Sequence, residues 1–312
     1  MPPSALVASL VLLLIPPWLV LSVLPAVEDL ADVQTYFDVL RNKHLIFLGD
    51  SITRYQYLDL LHLLTHSEYL VDTPTFNIIN EHTFPDFNIF YNRTNGLFAP
   101  YEKCDCFRDN SLHNEKFEFE NRYYYNPTKN LSLSYIMFSG RYDTIKGHWC
   151  DTGDLEQYRD PVTWYYPEFW SGLFVDKMDW LMSISPYKEH ILLMNVGHHP
   201  LRSFSDADSA VRTVKLAGDK FNTFIWKTTT YGINQLHSRS HDDAICAAPA
   251  SGSMRKGARR ASSNTTQCLD LSWTKGLNAS LYWDDKHFLA PVYNAINSQL
   301  IHLLADIYHK KH

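Results

Sequence analysis

The chain has 312 residues, 45% of them hydrophobic and 14% aromatic; this is ample for a sizeable core and excludes an intrinsically disordered chain. Its formal net charge of -6 gives no electrostatic basis for a nucleic-acid partner, and none is expected. No repeat of fixed period occurs, which excludes a solenoid.

Residues 5–27 carry no charged side chain and are dominated by Leu and Val. That length suffices to span a bilayer, while Pro16, Pro17 and Pro25 argue for kinks. Two readings stay open: an uncleaved signal anchor, favoured by length, or a signal peptide cleaved near Pro25-Ala26. Either one sends the remainder, 28–312, into the secretory lumen as a single domain. Four acceptor sequons agree with this, at Asn92, Asn130, Asn264 and Asn278. Asn126-Pro-Thr is spoiled by its proline. The five cysteines allow at most two bridges. Cys246 and Cys268 bracket a polar, Gly- and Ser-rich loop insertion at about 246–268 and are expected to staple its ends. Cys104-Asp-Cys106 has the wrong spacing for zinc and lacks a matching second pair, so no metal site is expected.

The apolar spacing over 33–40 predicts a short helix. "HLIFLGD" (44–50) is a brief apolar run closed by Gly-Asp and reads as a buried strand. "SITRYQYLDLLHLL" follows at once as an amphipathic helix with Ser51 at its mouth. Residues 70–135 alternate weakly and read as short strands and loops. "LSLSYIMFSGRYD" (131–143) predicts a strand ending at Gly140. Helices are expected over 175–184 and from about 207, and strands over 190–199 and in "FNTFIWKTTT" (221–230). From Leu289 to the end the pattern is that of a long amphipathic helix. Helices alternating with short apolar strands predict an α/β layered fold with a mostly parallel sheet. Ligands in such sheets gather beyond the carboxyl ends of the strands. Polar turns at 49–51, 140–141 and 195–198 fall at three such ends.

A serine hydroxyl becomes a nucleophile when a base takes its proton, a third group orients the base, and donors hold the oxyanion. A serine on a sharp strand-to-helix turn is exposed, and its own N–H points toward that oxyanion. Ser51 occupies such a turn, although Ser after Asp before a helix is also an ordinary N-cap. Near the other end, "LYWDDKHFLAPVYN" places Asp284 and His287 three apart. That spacing lets a carboxylate reach the imidazole Nδ1 and leaves Nε2 to act as base. A surface turn rich in charge is the bland alternative.

GDS after the first strand, Asn in a mid-chain strand-end turn, and Asp-x-x-His before the last helix resemble the GDSL/SGNH hydrolase superfamily. "GDSITRYQ" resembles the GDSxxRxQ block of its PC-esterase group, which includes trichome-birefringence-like polysaccharide O-acetyltransferases. "NVGHH", "WKTTT" and "DDKHFLAPVYNAINSQLI" resemble that group's later blocks, in order, over most of residues 44–305. The resemblance implies a three-layer α/β/α sandwich. It implies Ser51 as nucleophile, His287 as base, Asp284 as orienter, and Asn195, Gly140 and the Ser51 N–H as oxyanion donors. Arg54 corresponds to the arginine after the serine and would position either an acyl oxygen or a neighbouring carboxylate; a plain helix-surface charge is its alternative. His198 either joins the site rim or merely ends a strand. The function implied is O-acetylation of a carbohydrate hydroxyl through an acyl-serine, by a Golgi single-pass membrane protein, or by a secreted one if the leader is cleaved. The donor would be acetyl-CoA or another acetyl carrier, with no bound cofactor. An esterase has the same triad, and an inactive glycan-binding or adhesion protein is the reading from another class. Two departures stand out: no longer cysteine-bearing N-terminal region is present, and Asp285 and Leu289 stand where the plant proteins often have Cys. Plant wall polysaccharide is therefore not assumed as acceptor.

The rings of "WYYPEFW" (164–170) with Trp149 read either as core or as a sugar-stacking platform. Arg255, Lys256, Arg259 and Arg260 read as a solvated loop before an attractor of acidic glycans.

Overall fold

The computed structural model describes residues 30–71, 84, 86–108, 118–137, 182–183, 185–195, 220–233, 240–247 and 267–310. The apolar segment 5–27, the "WYYPEFW" rings, the helix from 207, Gly140, His198, Asn264 and the basic loop lie outside the described residues, as does all but the end of the 175–184 helix.

Helix α1 (Val33–Leu40) buries Tyr36, Phe37 and Leu40. Strand β1 (Lys43–Gly49) follows and is buried from His44 onward on both faces, as a strand inside a parallel sheet must be. Helix α2 (Ser51–His66) is then buried at every position from Ile52 to Leu64. The expected amphipathic helix is corrected by this: α2 is enclosed on all sides, so its Thr53, Arg54, Gln56, Asp59 and His62 are interior polar groups. It stops at Ser67, whose left-handed backbone (φ 60) directs its N–H to the Leu63 carbonyl.

The segment expected to be strands and loops contains a helix, α3 (Phe87–Leu97), capped by the Asp86 side chain on the Ile89 N–H. Its aromatics and asparagines are indifferent helix formers. Burial of Phe90, Tyr91 and Thr94 holds it. Strands β2 (Glu102–Arg108), β3 (Glu118–Asn126) and β4 (Leu131–Met137) follow, then β5 (Glu189–Met194), β6 (Thr223–Lys227), helix α4 (Ser240–Ala247), β7 (Gln267–Leu269) and helix α5 (Ala290–His309).

The seven strands form one open sheet in the order β2-β3-β4-β1-β5-β6-β7. From β4 to β7 all pairings are parallel, while β2-β3 and β3-β4 are antiparallel. The mostly parallel sheet expected from the sequence is present, with an antiparallel hairpin edge. Helices α1, α2 and α5 pack together on one face, over Leu45, Phe47, Leu133, Tyr135, Ile191, Leu193 and Ile225. Ile46, Leu48, Leu192, Met194 and Trp226 alternate with these and are buried as well, with α4 against β6. Burial on both faces is compatible with an α/β/α sandwich.

Candidate active site

One residue, Asp50, turns the chain from β1 into α2. It is the N-cap: extended (φ -83, ψ -164), with its side chain accepting from the Thr53 N–H. Ser51 is thus the first helical residue rather than the cap, and its N–H is among those with no intrahelical carbonyl. The turn is tightly packed. A Cβ on Gly49 would lie 2.3 Å from Thr53 Oγ1. The buried Tyr135 hydroxyl, on β4, donates to the Asp50 and Gly49 carbonyls at 3.1 and 3.3 Å.

The His287–Asp284 pair lies in a closed loop before α5. Tyr282 and Phe288 form a β-bridge. The Trp283 N–H donates to the His287 carbonyl, and the Leu289 N–H to the Leu281 carbonyl. Inside this loop Asp284 Oδ1 accepts the Lys286 and His287 N–H groups, both at 2.7 Å, while Oδ2 takes His287 Nδ1 at 2.6 Å. Burial pushes the Asp284 carboxyl up. The hydrogen bonds from the His287 ring and from the two backbone N–H groups outweigh it and hold the group well below the usual carboxylate range.

These halves meet: Ser51 Oγ and His287 Nε2 are 2.7 Å apart. A carboxylate on Nδ1 fixes the tautomer in which Nε2 accepts a proton from the serine hydroxyl. Trp283 stacks on the imidazole, with centroids 4.8 Å apart and planes at 17°, and Tyr55 meets it edge-on at 5.4 Å. The His287 and Asp284 side chains keep 11% and 27% exposure, so the relay is held by packing yet reaches the surface.

Asn195 follows β5 directly. Its N–H donates to the Leu48 carbonyl at 2.9 Å, which sets it beside the end of β1. Its side chain is buried and donates through Nδ2 to the Lys227 carbonyl at 2.7 Å. A carboxamide nitrogen carries two protons, so that bond orients the group and commits one of them. The remaining expected donor, Gly140, and the rim residue His198 are outside the described residues.

Arg54 is not a surface charge: it is 2% exposed. Its Nε donates to Glu120 Oε2 at 2.6 Å, and Glu120 Oε1 accepts from Arg122 Nε at 2.6 Å. Arg122 continues to Glu102 Oε1 at 3.2 Å and to Thr94 Oγ1 at 2.8 Å. A neighbouring carboxylate, one of the two partners expected for Arg54, is present in Glu120. Phe87 and Phe90 of α3 lie against its guanidinium.

Cys246 is bonded to Cys268, closing the loop between α4 and β7, and Cys104 to Cys106 within β2; Cys150 lies outside the described residues. Two disulfides are compatible with a secreted or lumenal protein. Among the described residues no helix is long and apolar enough to cross a membrane. Among them, too, no cluster of three or more His, Cys, Asp or Glu fit to hold a metal ion occurs. Of the sequon asparagines, Asn92, Asn130 and Asn278 are exposed. Thr94 and Ser132, which complete the first two, are buried, whereas Ser280 is exposed with Asn278.

Sequence reasoning passed over Tyr135, Tyr55, Trp283 and Lys227. Trp283 had one signal, adjacency to Asp284. The others are ordinary strand and helix residues by type, and only the three-dimensional arrangement brings them to the turn. No family model matches the chain, and no curated protein matches it.

Proposed function

We propose that this protein is a serine-dependent O-acyltransferase of the SGNH type that moves an acetyl group from a carrier to a carbohydrate hydroxyl. The observation that carries the reading is the continuous relay from Ser51 through His287 to Asp284, at 2.7 and 2.6 Å. Position adds support, because Ser51 and Asn195 lie beyond the carboxyl ends of two adjacent parallel strands, β1 and β5, where such sheets bind ligands.

In this mechanism Ser51 Oγ attacks the acyl carbonyl while its proton passes to His287 Nε2. The Ser51 N–H and Asn195 hold the resulting oxyanion. Collapse expels the carrier, which takes the proton from His287, and leaves acyl-Ser51. An acceptor hydroxyl then gives its proton to His287 and attacks the ester, and return of that proton frees Ser51. Asp284 stays ionised and orients the imidazole throughout. The SGNH arrangement of the layers and membrane anchoring through residues 1–27 in the Golgi belong to the same proposal. The apolar leader and the two disulfides support the lumenal part.

The test is mass spectrometry of the protein incubated with an acetyl carrier such as acetyl-CoA, with and without oligosaccharides. The expected result is acetyl on Ser51 that passes to sugar when sugar is present. Acetyl lost to water alone would make the protein an esterase. Absence of acyl-Ser51, together with aryl acetate turnover unchanged in Ser51→Ala, would leave a binding protein on this scaffold.

A further inference from the structure

Lys227, the last residue of β6, is 1% exposed. A buried ammonium costs several kcal/mol unless it is paired and hydrogen-bonded, so its placement needs a reason. Its Nζ donates to Thr53 Oγ1 at 2.7 Å and to Gln56 Oε1 at 3.2 Å, both on α2. Thr53 Oγ1 in turn donates to Asp50 Oδ1 at 3.4 Å, the same oxygen that receives the Thr53 N–H. The ammonium thus reaches, through one hydroxyl, the residue that precedes Ser51. The carbonyl of the same Lys227 receives Asn195 Nδ2 at 2.7 Å.

We propose that Lys227 is a positioning residue of the acyl-transfer site, setting the nucleophile turn through its ammonium and the Asn195 carboxamide through its carbonyl. The inference rests on the reading of Ser51 and Asn195 as nucleophile and oxyanion donor. It adds a reason for a cation: a positive charge under the mouth of α2 reinforces the positive end of the helix just where an oxyanion would form. Burial lowers the Lys227 amine to about 8, with the Asp50 carboxylate opposing that fall. Asp59, further along α2, bonds to Asn297 of α5. On the other face of β6, Asp242 of α4 is engaged by Trp226 Nε1 and the Thr229 N–H, and Asp270 beyond β7 by the Thr228 hydroxyl. Asp50 is therefore the carboxylate tied to the ammonium through Thr53 Oγ1, and loss of the Lys227 proton near pH 8 removes the cation.

The experiment uses the whole lumenal protein, an aryl acetate, and a fluorophosphonate that reacts with activated serine. For the parent protein, the rate of phosphonylation at Ser51 should fall about tenfold from pH 7.5 to 9.5, less than the roughly 10²–10³-fold cost of losing a donor that touches the oxyanion, because the ammonium acts through Thr53. Lys227→Met should lower kcat about tenfold with KM within about threefold, and lose the alkaline fall. Lys227→Arg, which stays charged across this range, should also lack the fall and recover part of the rate. A flat parent profile overturns the inference without any variant having to fold. So does a folded Lys227→Met that reacts as fast as the parent. A parent protein with neither turnover nor label on Ser51 sinks the acyl-transfer reading itself, and this inference with it; label on Ser51 with no dependence on Lys227 sinks only the inference.

Discussion

Ser51 Oγ and His287 Nε2 are 236 positions apart in the chain and 2.7 Å apart in space. The contact is built by two helices. Ser51 opens α2, His287 sits in the loop that enters α5, and Asn297 of α5 donates from Nδ2 to the Gln56 carbonyl and to Asp59 Oδ2 of α2. Gln56, Asp59 and Asn297 are buried, so the helices lock in one register and the serine meets the imidazole as a consequence.

Asp284→Asn should leave the fold intact and nearly abolish turnover. An Asn Oδ1 can still accept the Lys286 and His287 N–H groups that Asp284 Oδ1 accepts now. What it cannot do is accept Nδ1–H on the other atom, which becomes an NH2 donor, so the imidazole turns to the wrong tautomer. The expected loss in kcat is about 10⁴-fold, measured on an aryl acetate beside a thermal melt. A near-normal rate would mean that something other than Asp284 orients His287.

Glu120→Gln tests the buried charge network. Glu120 serves both Arg54 and Arg122 at 2.6 Å, with no side-chain exposure on Glu120. Removing its charge takes a carboxylate from both enclosed guanidinium groups, of which Arg122 keeps Glu102, and costs about 3 to 5 kcal/mol. Urea unfolding should show the loss as a lower midpoint with an unchanged slope. At temperatures where the variant is folded, KM for a small aryl acetate should stay within about twofold of the parent, because uniform substrate binding is not touched. A large rise in KM without loss of stability would return Arg54 to a substrate-binding role.

Among the three sequons that lie in the described residues, glycan occupancy should be highest at Asn278. There both Asn278 and Ser280 are exposed, on a short 3-10 turn. At Asn92 the partner Thr94 is buried and its hydroxyl donates to the Phe90 and Tyr91 carbonyls, and at Asn130 the partner Ser132 is buried in β4. Asn278→Gln should remove more of the endoglycosidase-sensitive mobility shift of secretory-host protein than Asn92→Gln or Asn130→Gln. The reverse ranking would show that acceptors are modified before these strands and helices form.

The parts of the fold that could be read from sequence were those with one dominant signal. β1 is a run of apolar residues closed by Gly-Asp, α5 holds its helical period for 20 residues, and the Asp284–His287 spacing is a single turn of chain. What escaped depended on partners far away. α3 reads as loop because Asn88, Asn92 and Asn95 dilute its pattern, and packing of Phe90 and Tyr91 decides it instead. α2 reads as amphipathic because Arg54, Gln56 and Asp59 are polar. Their partners, Glu120, Lys227 and Asn297, lie on three other elements, and no local pattern encodes them. The same holds for Lys227, which alternation alone would place as the polar end of a strand.

Stability should fall as the pH drops below about 6.5, and His44 contributes to that fall. It is fully buried in β1, with Nε2 2.8 Å from Ser134 Oγ on β4. The His190 ring on β5 lies 5.7 Å away and Tyr123 on β3 5.9 Å away, both edge-on. Burial, and then repulsion by His190, lowers the His44 pKa well below its ordinary value. His190 is itself lowered by burial, with Glu189 opposing. The sign follows from proton uptake. Below about 6.5 the unfolded chain binds a proton at His44 that the folded chain refuses, so the unfolded state gains about 1.4 kcal/mol per pH unit for this site. The effect is absent above that pH and grows until the depressed folded value is reached. His44→Gln keeps a polar group near Ser134 but cannot titrate. Between pH 7.5 and 5.5 its denaturant midpoint should drop less than that of the parent protein. Equal drops in the two proteins would show that His44 accepts its proton inside the sheet.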